Sequence, residues 1–565
     1  MGISSLLKAG WGRFHPLLPT SADFVAMRRN PRRDVIAGVT VALVALPLAL
    51  AFGIASGAGA AAGLVTAIVA GVVAAVFGGS NLQVSGPTGA MTVVIIPIIA
   101  HFGVNGVLVV GIMAGLILIA LAVARAGRAM QYVPLPVIEG FTLGIAVIIG
   151  LQQVPVALGQ HPHDTRVVSS AWQAIVAFAQ SPQWASVGVT ACVALAILLA
   201  RRVRPGLPIA LPAVIAITVV TWIAHLNVEL IGALPSGLPV PSLPEIPWAD
   251  LPELIAPAVA IAALAGLESL LCATVADAMC VGQRHDANRE LFGQGLANVV
   301  SPLFAGVPAT AAIARTAVNV RTGARSRLGA LTQSLVLLLV VLVASRWVGF
   351  IPLAALAGVL LATVIHMVDI SNLRALLQAT RGDAAVLVVT AAATVAFDLV
   401  AAVVVGLMVA GLLALWQMSK SAQLDQLPID NGEHSQEEQS LLDDHIVAYR
   451  LDGPLFFGAA HQFLLELSRL SDVKVVILRL SRVNTLDATG AAVLGDTIRS
   501  LERRGTTVLL SGIRDEHDGV FRALGVYQGL ADQRHVFDST PEAIAHARAH
   551  VRSAGHAPEG SAPAT

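Results

Sequence analysis

Long apolar runs separated by short polar loops fill the chain from about residue 35 to residue 418. A helix needs roughly 20 apolar residues to cross a bilayer core of about 30 Å. By this measure the runs predict about fourteen membrane segments, several of them too short to cross the bilayer alone. The predicted segments lie near residues 35–57, 59–79, 85–101, 104–124, 133–152, 172–200, 207–225, 251–280, 288–305, 307–320, 326–348, 351–368, 383–399 and 400–418.

The composition agrees with this pattern, because 56% of the 565 residues are hydrophobic and only 12% are charged. The mean hydropathy of +0.77 lies outside the range of soluble globular proteins. Residues 1–34 contain several arginines but no apolar core of a signal peptide, so we expect a cytoplasmic N-terminal segment. The sequence therefore predicts an α-helical polytopic membrane protein whose transport domain spans residues 35–418.

Charged residues in the loops predict the topology. Arginines follow alternate segments, among them Arg125, Arg201, Arg284 and Arg321. The loop from about 226 to 252 carries acidic residues and no Lys or Arg. Because cytoplasmic loops are enriched in Lys and Arg, we expect both termini on the cytoplasmic side of a bacterial inner membrane.

The composition changes after residue 418. Residues 419–444 hold many acidic side chains around Pro428 and are interpreted as a linker. In residues 445–551, HIVAYRLDGPLFF predicts two short strands, AAHQFLLELSRL a helix, VKVVILRL a buried strand, LDATGAAVLGDTIRSLERRG a helix and TTVLLSGI a strand. Strands that alternate with helices indicate an α/β domain. Residues 552–565 are rich in Gly, Ala, Pro and Ser, which predicts a disordered tail.

Two clusters of small residues interrupt the apolar segments. VSGPTGAMTVV occupies residues 84–94 and AGVPATAAIAR occupies residues 305–315. Because proline is tolerated in the first turn of a helix but not in its middle, Pro87 and Pro308 predict half-helices that begin inside the membrane. The free N–H groups and positive dipole ends of such helices suit an anion. Simple proline kinks are the alternative, but matching interruptions in two halves favour a transporter with inverted repeats and a midplane site.

Three side chains bear on the mechanism. Glu268 lies near the centre of the apolar run LAGLESLLCATVADAM, where an ionised carboxylate is costly and usually functional. We interpret it as a proton carrier, with a structural, hydrogen-bonded carboxylate as the alternative. Arg315 closes the second half-helix and either supplies positive potential to the anion or marks the cytoplasmic boundary. Phe52 is either a wall of the pocket or a packed or lipid-facing side chain.

Several motifs resemble the SulP, or sulfate permease, family of anion transporters: FGGSNLQVSGPTGA, ESLLCATVADAM, NRELFGQGLANVVSPLFAGVPATAAIARTAVNVRTGARSRL and LDATGAAVLG. The resemblance implies about fourteen segments in two inverted repeats of seven, divided into a core and a gate domain. It also implies two membrane half-helices, a C-terminal cytoplasmic α/β domain of the STAS type, homodimers and elevator-like alternating access. In that family the anion lies between the third and tenth segments and beside the first. That region corresponds in this chain to Phe52, Ser85, Gly86, Pro87, Thr88, Ala309, Thr310, Ala311 and Arg315.

The resemblance also bears on the coupling ion. The sodium-dependent bicarbonate branch is similar in LPLALAFGIASGAG and PTGAMTVV, but its sodium site has an Asp, a Thr four residues later and another Thr in the second half-helix. Glu268, Cys272 and Ala312 stand at those places, so we expect no sodium site. ESLLCATVADAM and ATAAIARTAVNVRTGA resemble the bacterial dicarboxylate-transporting branch more closely. That likeness implies proton-coupled uptake, with Glu268 carrying the proton.

The LDATG loop of the C-terminal domain suggests a regulatory site. Thr489 stands where anti-sigma-factor antagonists carry a phosphorylated hydroxyl, with Asp487 beside it. A phosphate at a helix N-terminus would be stabilised by the helix dipole. In transporters this loop is usually a docking or dimer surface, and we favour that interpretation.

The sequence as a whole predicts a proton-coupled secondary transporter for a small inorganic or carboxylate anion, with dicarboxylate, sulfate and bicarbonate in falling order of preference. The competing interpretations are an electroneutral anion exchanger, an anion channel, and a phospho-regulated binding module tethered to the membrane. No enzyme, cofactor, metal or nucleic-acid partner is expected, because the sequence lacks a nucleophile–base pair, a ligand cluster and a phosphate-binding loop. The expected partners are the anion, a proton, membrane lipid and a second copy of the chain.

Overall fold

The computed structural model describes residues 15–127, 134–162, 166–203, 208–280, 283–368, 370–396, 399–421, 423–425, 445–455, 473–486, 488–530, 532 and 534–554. Within these ranges the chain divides into two compact units, Met1–Met408 and Val409–Thr565. Seven described helices are long and apolar enough to cross a membrane. We describe the two units separately.

Among the described residues, the first half of the membrane unit has eight α-helices and one short strand. A short helix, α1, precedes the first long one, and the strand β1 lies between α3 and α4. Their bounds are α1 Ser21–Arg29, α2 Pro31–Ala55, α3 Ala60–Phe77, β1 Ser85–Gly86, α4 Gly89–Val123, α5 Leu135–Leu158, α6 Val167–Gln180, α7 Trp184–Val203 and α8 Ala210–Ile223. The helix α4 contains a break at Gly103, whose φ of 68° interrupts the helical geometry. The stretch before Gly103 is therefore a half-helix, and the stretch after it is a separate segment.

The second half repeats this plan. The strand β2 lies between α10 and α11, as β1 lies between α3 and α4. The bounds are α9 Leu251–Met279, α10 Ala287–Leu303, β2 Thr310–Ala311, α11 Ile313–Arg321, α12 Leu328–Val348, α13 Leu353–Met367, α14 Ile370–Ala379, α15 Arg381–Ala396 and α16 Leu399–Ser421.

Small residues let the membrane helices approach closely. A Cβ atom added to Gly115 of α4 would lie 2.6 Å from the carbonyl oxygen of Gly295 on α10, and one added to Gly295 would lie 2.8 Å from the oxygen of Gly115. Glycine at such contacts is the usual means of close helix packing in a membrane. One apolar core joins α4 to α9 and α10, and a second joins α2, α3, α12 and α13.

The described part of the C-terminal unit contains a five-stranded sheet in the order β3-β4-β5-β6-β7. The strand β3 is antiparallel to β4 and the remaining neighbours are parallel. The bounds are β3 Gln423–Asp425, β4 Ile446–Leu455, β5 Val475–Leu486, α17 Ala488–Arg503, β6 Thr507–Ser511, α18 Asp515–Ala523, β7 Val536–Phe537 and α19 Thr540–Ala554. Separate apolar clusters cover the two faces of the sheet, as an α/β layer requires.

Some expectations for these elements were wrong. The apolar run 172–200 forms two helices, because Pro182 lies in the break between α6 and α7. HIVAYRLDGPLFF contributes one strand through Leu455, in which Gly453 lies at a register shift and not in a turn. The expected linker 419–444 contains the strand β3 and the end of α16. The predicted helix AAHQFLLELSRL lies outside the described residues, and so does the predicted disordered tail beyond Ala554.

Candidate functional site

The two short strands pair with each other within the membrane unit, and we call the place where they meet the crossing. β1 and β2 are antiparallel, with Ser85 opposite Ala311 and Gly86 opposite Thr310. The N–H of Ala312 extends the ladder by donating to the carbonyl oxygen of Val84 at 3.0 Å. Because each strand leads into a half-helix, the antiparallel pairing brings the N-termini of α4 and α11 to one place from opposite directions. Free N–H groups and positive dipole ends therefore meet there.

Neither proline of the motifs lies in a first helical turn, contrary to expectation. Pro87 lies just before Thr88, the N-cap residue of α4. Pro308 is farther from its helix, because β2 intervenes and α11 begins only at Ile313. Its position before a short buried strand is also compatible with the missing N–H of proline.

Glu268 connects the two half-helix entries. The hydroxyl of Thr88 donates a hydrogen bond to Glu268 Oε2 at 3.1 Å, and the Thr310 hydroxyl also interacts with this carboxylate. Thr88 precedes α4 and Thr310 belongs to β2, so one carboxylate on α9 contacts both halves. The surface of Glu268 is partly buried.

Arg315 lies beside this carboxylate and is buried, with 1% of its surface exposed. Its Nη2 donates to the carbonyl oxygen of Pro87 at 2.9 Å, which ties α11 to the entry of α4. Its Nη1 has no hydrogen-bond partner. Gly86 makes room for the guanidinium, since a Cβ there would lie 2.6 Å from Nη1. A buried cation with an unused donor is a strong anion-binding group.

Phe52 belongs to α2, and its side chain lies against the first turn of α4. A Cβ atom added to Gly89 would lie 3.1 Å from the ring of Phe52 and 2.2 Å from Ile149. Phe52 is 7% exposed, so it is a packed side chain beside the half-helix and does not face lipid. An apolar wall next to N–H donors is typical of ligand pockets.

The profile of the sulfate permease family matches residues 32–390. The chain belongs to the sulfate permease family. The profile of the STAS domain matches residues 441–543, so the C-terminal α/β unit is a STAS domain. The chain is thus a membrane anion transporter of this family, with a STAS domain, and not an enzyme.

Individual relatives agree with this membership. The bicarbonate transporter BicA of Synechocystis sp. is 31% identical over 534 residues, which cover 91% of this chain and 94% of BicA. The protein YvdB of Bacillus subtilis is 35% identical over 531 residues, which cover 90% of this chain and 97% of YvdB. The solved structure of SLC26A9 has the same fold, with a TM-score of 0.81 at 17% identity over 99% of this chain and 96% of that chain.

In this sulfate permease family chain, Cys272 stands at one of the places that hold sodium ligands in the bicarbonate branch, and it makes another contact. Cys272 donates from Sγ to the hydroxyl oxygen of Thr316 at 3.2 Å, and the N–H of Val84 donates to the same oxygen at 3.0 Å. Hard cations prefer oxygen ligands to a thiol, and the absence of a sodium site stays a prediction. Among the described residues no group of three His, Cys, Asp or Glu side chains is arranged to hold a metal ion.

Four polar residues near the crossing were not predicted from the sequence. Ser269 of α9 accepts from the N–H of Ala311 at 3.2 Å and contacts the hydroxyl of Thr310 at 3.1 Å. Glu290, Gln294 and Asn298 of α10 surround the strands as well. The signal was present, because these three residues recur at intervals of four in a predicted membrane segment, and polar residues within the membrane are usually functional.

The predicted regulatory residues are only partly described. Thr489 lies in the first turn of α17, at the end of β5. Asp487 lies outside the described residues. A helix N-terminus at this position agrees with the dipole argument for Thr489, and its phosphorylation stays a prediction.

Proposed function

We propose that this transporter couples the uptake of a small oxyanion to a proton, with the anion bound where β1 and β2 cross. The observation that carries the proposal is the buried Arg315, whose free Nη1 lies beside the N-termini of two half-helices. The proposal includes a bacterial inner membrane with both termini in the cytoplasm, in agreement with the arginines of alternate loops.

Coupling to a proton follows from the charges of the site. Glu268 and Arg315 are close enough for their charges to interact. An ionised Glu268 competes with an incoming anion for Arg315 and repels it, whereas a protonated Glu268 does neither. Proton and anion therefore bind with positive cooperativity, and by linkage each raises the affinity for the other.

We infer a small oxyanion as the substrate class. N–H donors, a guanidinium and hydroxyls select charge and size more than chemical identity. The family is named for sulfate, and BicA is named for bicarbonate. The candidate substrates are therefore sulfate, bicarbonate and the dicarboxylates that the sequence motifs indicate. Thr88 and Thr310 add hydroxyl donors that suit carboxylate, carbonate and sulfate oxygens alike.

Movement of the anion across the membrane is proposed to be elevator-like. The site is built from residues of α2, α4, α9 and α11 and the two strands, which share contacts and hydrogen bonds. Such a unit moves as one body past the remaining helices while it carries the anion.

The test is uptake into proteoliposomes of radiolabelled bicarbonate, sulfate and succinate, each with an inward proton gradient, an inward sodium gradient or none. We expect one of these anions to accumulate only with the proton gradient. Glu268→Gln should abolish accumulation while it leaves anion binding and anion exchange measurable, because the glutamine mimics the protonated acid. Unchanged proton-driven accumulation by this variant, or uptake only by exchange in the unmodified chain, would refute the coupling.

A further inference from the structure

A stripe of polar side chains runs along one face of α10, within the membrane unit. Glu290, Gln294 and Asn298 are spaced four residues apart and therefore lie one above the other on the helix. Glu290 is 2% exposed, and the other two are fully buried. We call these three residues the α10 stripe.

At one end of the α10 stripe, Asn298 binds the residue that precedes the second strand. Asn298 Nδ2 donates to the carbonyl oxygen of Ala309 at 2.9 Å, and the N–H of Ala309 donates to Asn298 Oδ1 at 2.8 Å. The amide thus acts towards Ala309 as a neighbouring strand would. Because donor and acceptor are both matched, only one orientation of the Asn298 amide satisfies this contact.

Towards the other end of the α10 stripe, Gln294 binds the first strand and Glu290 binds Gln294. Gln294 Nε2 donates to Ser85 Oγ at 2.7 Å and to Glu290 Oε1 at 3.0 Å. The other oxygen of Glu290 accepts from the N–H groups of Gly79 at 2.8 Å and Ser80 at 3.0 Å. Since Glu290 accepts hydrogen bonds from the Gln294 amide, it keeps the NH₂ group of Gln294 directed at Ser85.

The helix that occupies the matching place in the first half has no such stripe. α3 meets the strands with small residues: Gly86 lies against Ala67, and Gly71 lies against the carbonyl oxygen of Ser85. α3 adds one polar contact, in which the hydroxyl of Thr66 donates to the carbonyl oxygen of Val307 at 3.1 Å. Buried polar networks are costly unless fully matched, so the α10 stripe points to a role besides stability.

We propose that the α10 stripe is a positioning device that fixes the spacing of the two half-helix entries, and with it the size of anion that the site accepts. Gln294 binds Ser85, which lies shortly before α4, and Asn298 binds Ala309, which lies shortly before α11. One rigid helix thus sets the distance between the two N-termini that face the anion. This inference rests on the anion site proposed above.

The test uses the full chain in proteoliposomes, with KM and kcat measured for bicarbonate and sulfate. Gln294→Met removes the bond to Ser85 and keeps a similar volume. Loss of one such hydrogen bond should raise KM by roughly 3- to 10-fold. The increase should differ between the smaller and the larger anion, with a smaller effect on kcat. Ser85→Ala removes the same bond from the other side, so the double variant should be no worse than either single variant.

The matched control is Gln333→Met on α12. Gln333 is also fully buried, and neither of its side-chain amide atoms has a hydrogen-bond partner. This variant should keep the KM of the unmodified chain for both anions. If the Gln294→Met variant does not fold, the test of the positioning role rests on Ser85→Ala alone. This substitution makes only a small change in volume.

A merely structural role predicts the opposite result. Gln294→Met and Ser85→Ala would then lower the melting temperature, while the folded fraction kept the KM of the unmodified chain for both anions. That result, or equal changes in Gln333→Met, overturns the positioning role and leaves the anion site intact. If the unmodified chain transports none of the tested anions, the proposed function itself fails and this inference with it.

Discussion

Arg315 shows what burial adds to a residue identified in a sequence. The sequence left two roles open, an anion ligand and an arginine at the cytoplasmic boundary. In the structure the side chain is 1% exposed and makes one hydrogen bond, to the carbonyl oxygen of Pro87. The Nη1 donor of this buried guanidinium has no hydrogen-bond partner, so the site favours a further anionic partner besides Glu268. The burial of Arg315 therefore favours the first role.

Gly86 is the residue whose replacement tests this arrangement most directly. Its φ of 155° lies at the edge of the region that favours glycine, and an added Cβ would lie 2.6 Å from Arg315 Nη1 and 3.2 Å from the Cα atom of Ala67. Gly86→Ala should displace the guanidinium and, through the loss of a charge-assisted contact of roughly 1.5–3 kcal/mol, raise the KM for the anion by about 10-fold or more. The measurement is concentration-dependent uptake in proteoliposomes.

The control for this variant is Gly188→Ala on α7. A Cβ there meets nothing within 4 Å, and alanine favours a helix more than glycine does. Gly188→Ala should transport as the unmodified chain does. Normal uptake by Gly86→Ala would mean that Arg315 does not have to keep its position for the anion to bind.

At the scale of elements, the sequence was informative where the hydrophobic pattern depends on a single helix. Segments such as Leu251–Met279 and Leu328–Val348 follow from their apolar length alone. The half-helix entries could be located because clusters of small residues with a proline interrupt the apolar segments at matching places in the two halves. The sequence could not reveal the pairing of β1 with β2, or the contact of Asn298 with Ala309. Those contacts join residues far apart in the chain or across a loop, and single-sequence periodicity carries no information on them.

The helix α1 is tied to the membrane unit by an ion pair that the sequence did not indicate. Asp23 accepts from Arg289 Nη2 at 2.7 Å, and Arg327 Nη2 lies 3.3 Å from its other oxygen. Burial alone would raise the pKa of the Asp23 carboxyl, but its hydrogen bonds to Arg289 and Thr20 and the charge of Arg327 lower that pKa to about 2. The carboxylate therefore joins α1 to the start of α10 and to the residue before α12.

Asp23→Asn should weaken the contact between α1 and the rest of the membrane unit. Hydrogen bonds to charged groups contribute about 1.5–3 kcal/mol each, and two arginines would lose a charged partner. Because the pKa of Asp23 is lower in the folded chain than its ordinary 3.8, its contribution is present above pH 4 and is lost as the pH falls towards 2. At pH 7 the thermal stability of the Asp23→Asn chain in detergent should thus be lower than that of the unmodified chain. This difference should disappear as the pH falls from about 4 to about 2.

Asp515→Asn serves as its control, since Asp515 is exposed on α18 and surface changes usually alter stability by less than about 0.5 kcal/mol. A difference for Asp23→Asn that stays constant down to pH 2 would show that the stabilisation does not depend on the charge of Asp23.

At the scale of the whole molecule, the chain combines a transporter with a separate domain. All of the proposed anion-site residues, from Phe52 to Arg315, lie in the unit Met1–Met408. The strand pairing and hydrogen bonds that join these residues stay within that unit. The STAS domain has its own apolar clusters on both faces of its sheet. We therefore expect that anion binding does not require the STAS domain.

Truncation after Ser421, the last residue of α16, tests this separation. Because the hydrogen bonds that build the anion site lie within the unit Met1–Met408, the KM for the anion should stay within about twofold of that of the full chain. Gly86→Ala should have the same effect on KM in the truncated chain as in the full one, because its contacts with Arg315 and Ala67 lie within the membrane unit. A truncated chain that is folded, as judged by its melting temperature, but binds no anion would mean that the STAS domain takes part in the site. The tethered binding module would then be the better interpretation of the chain.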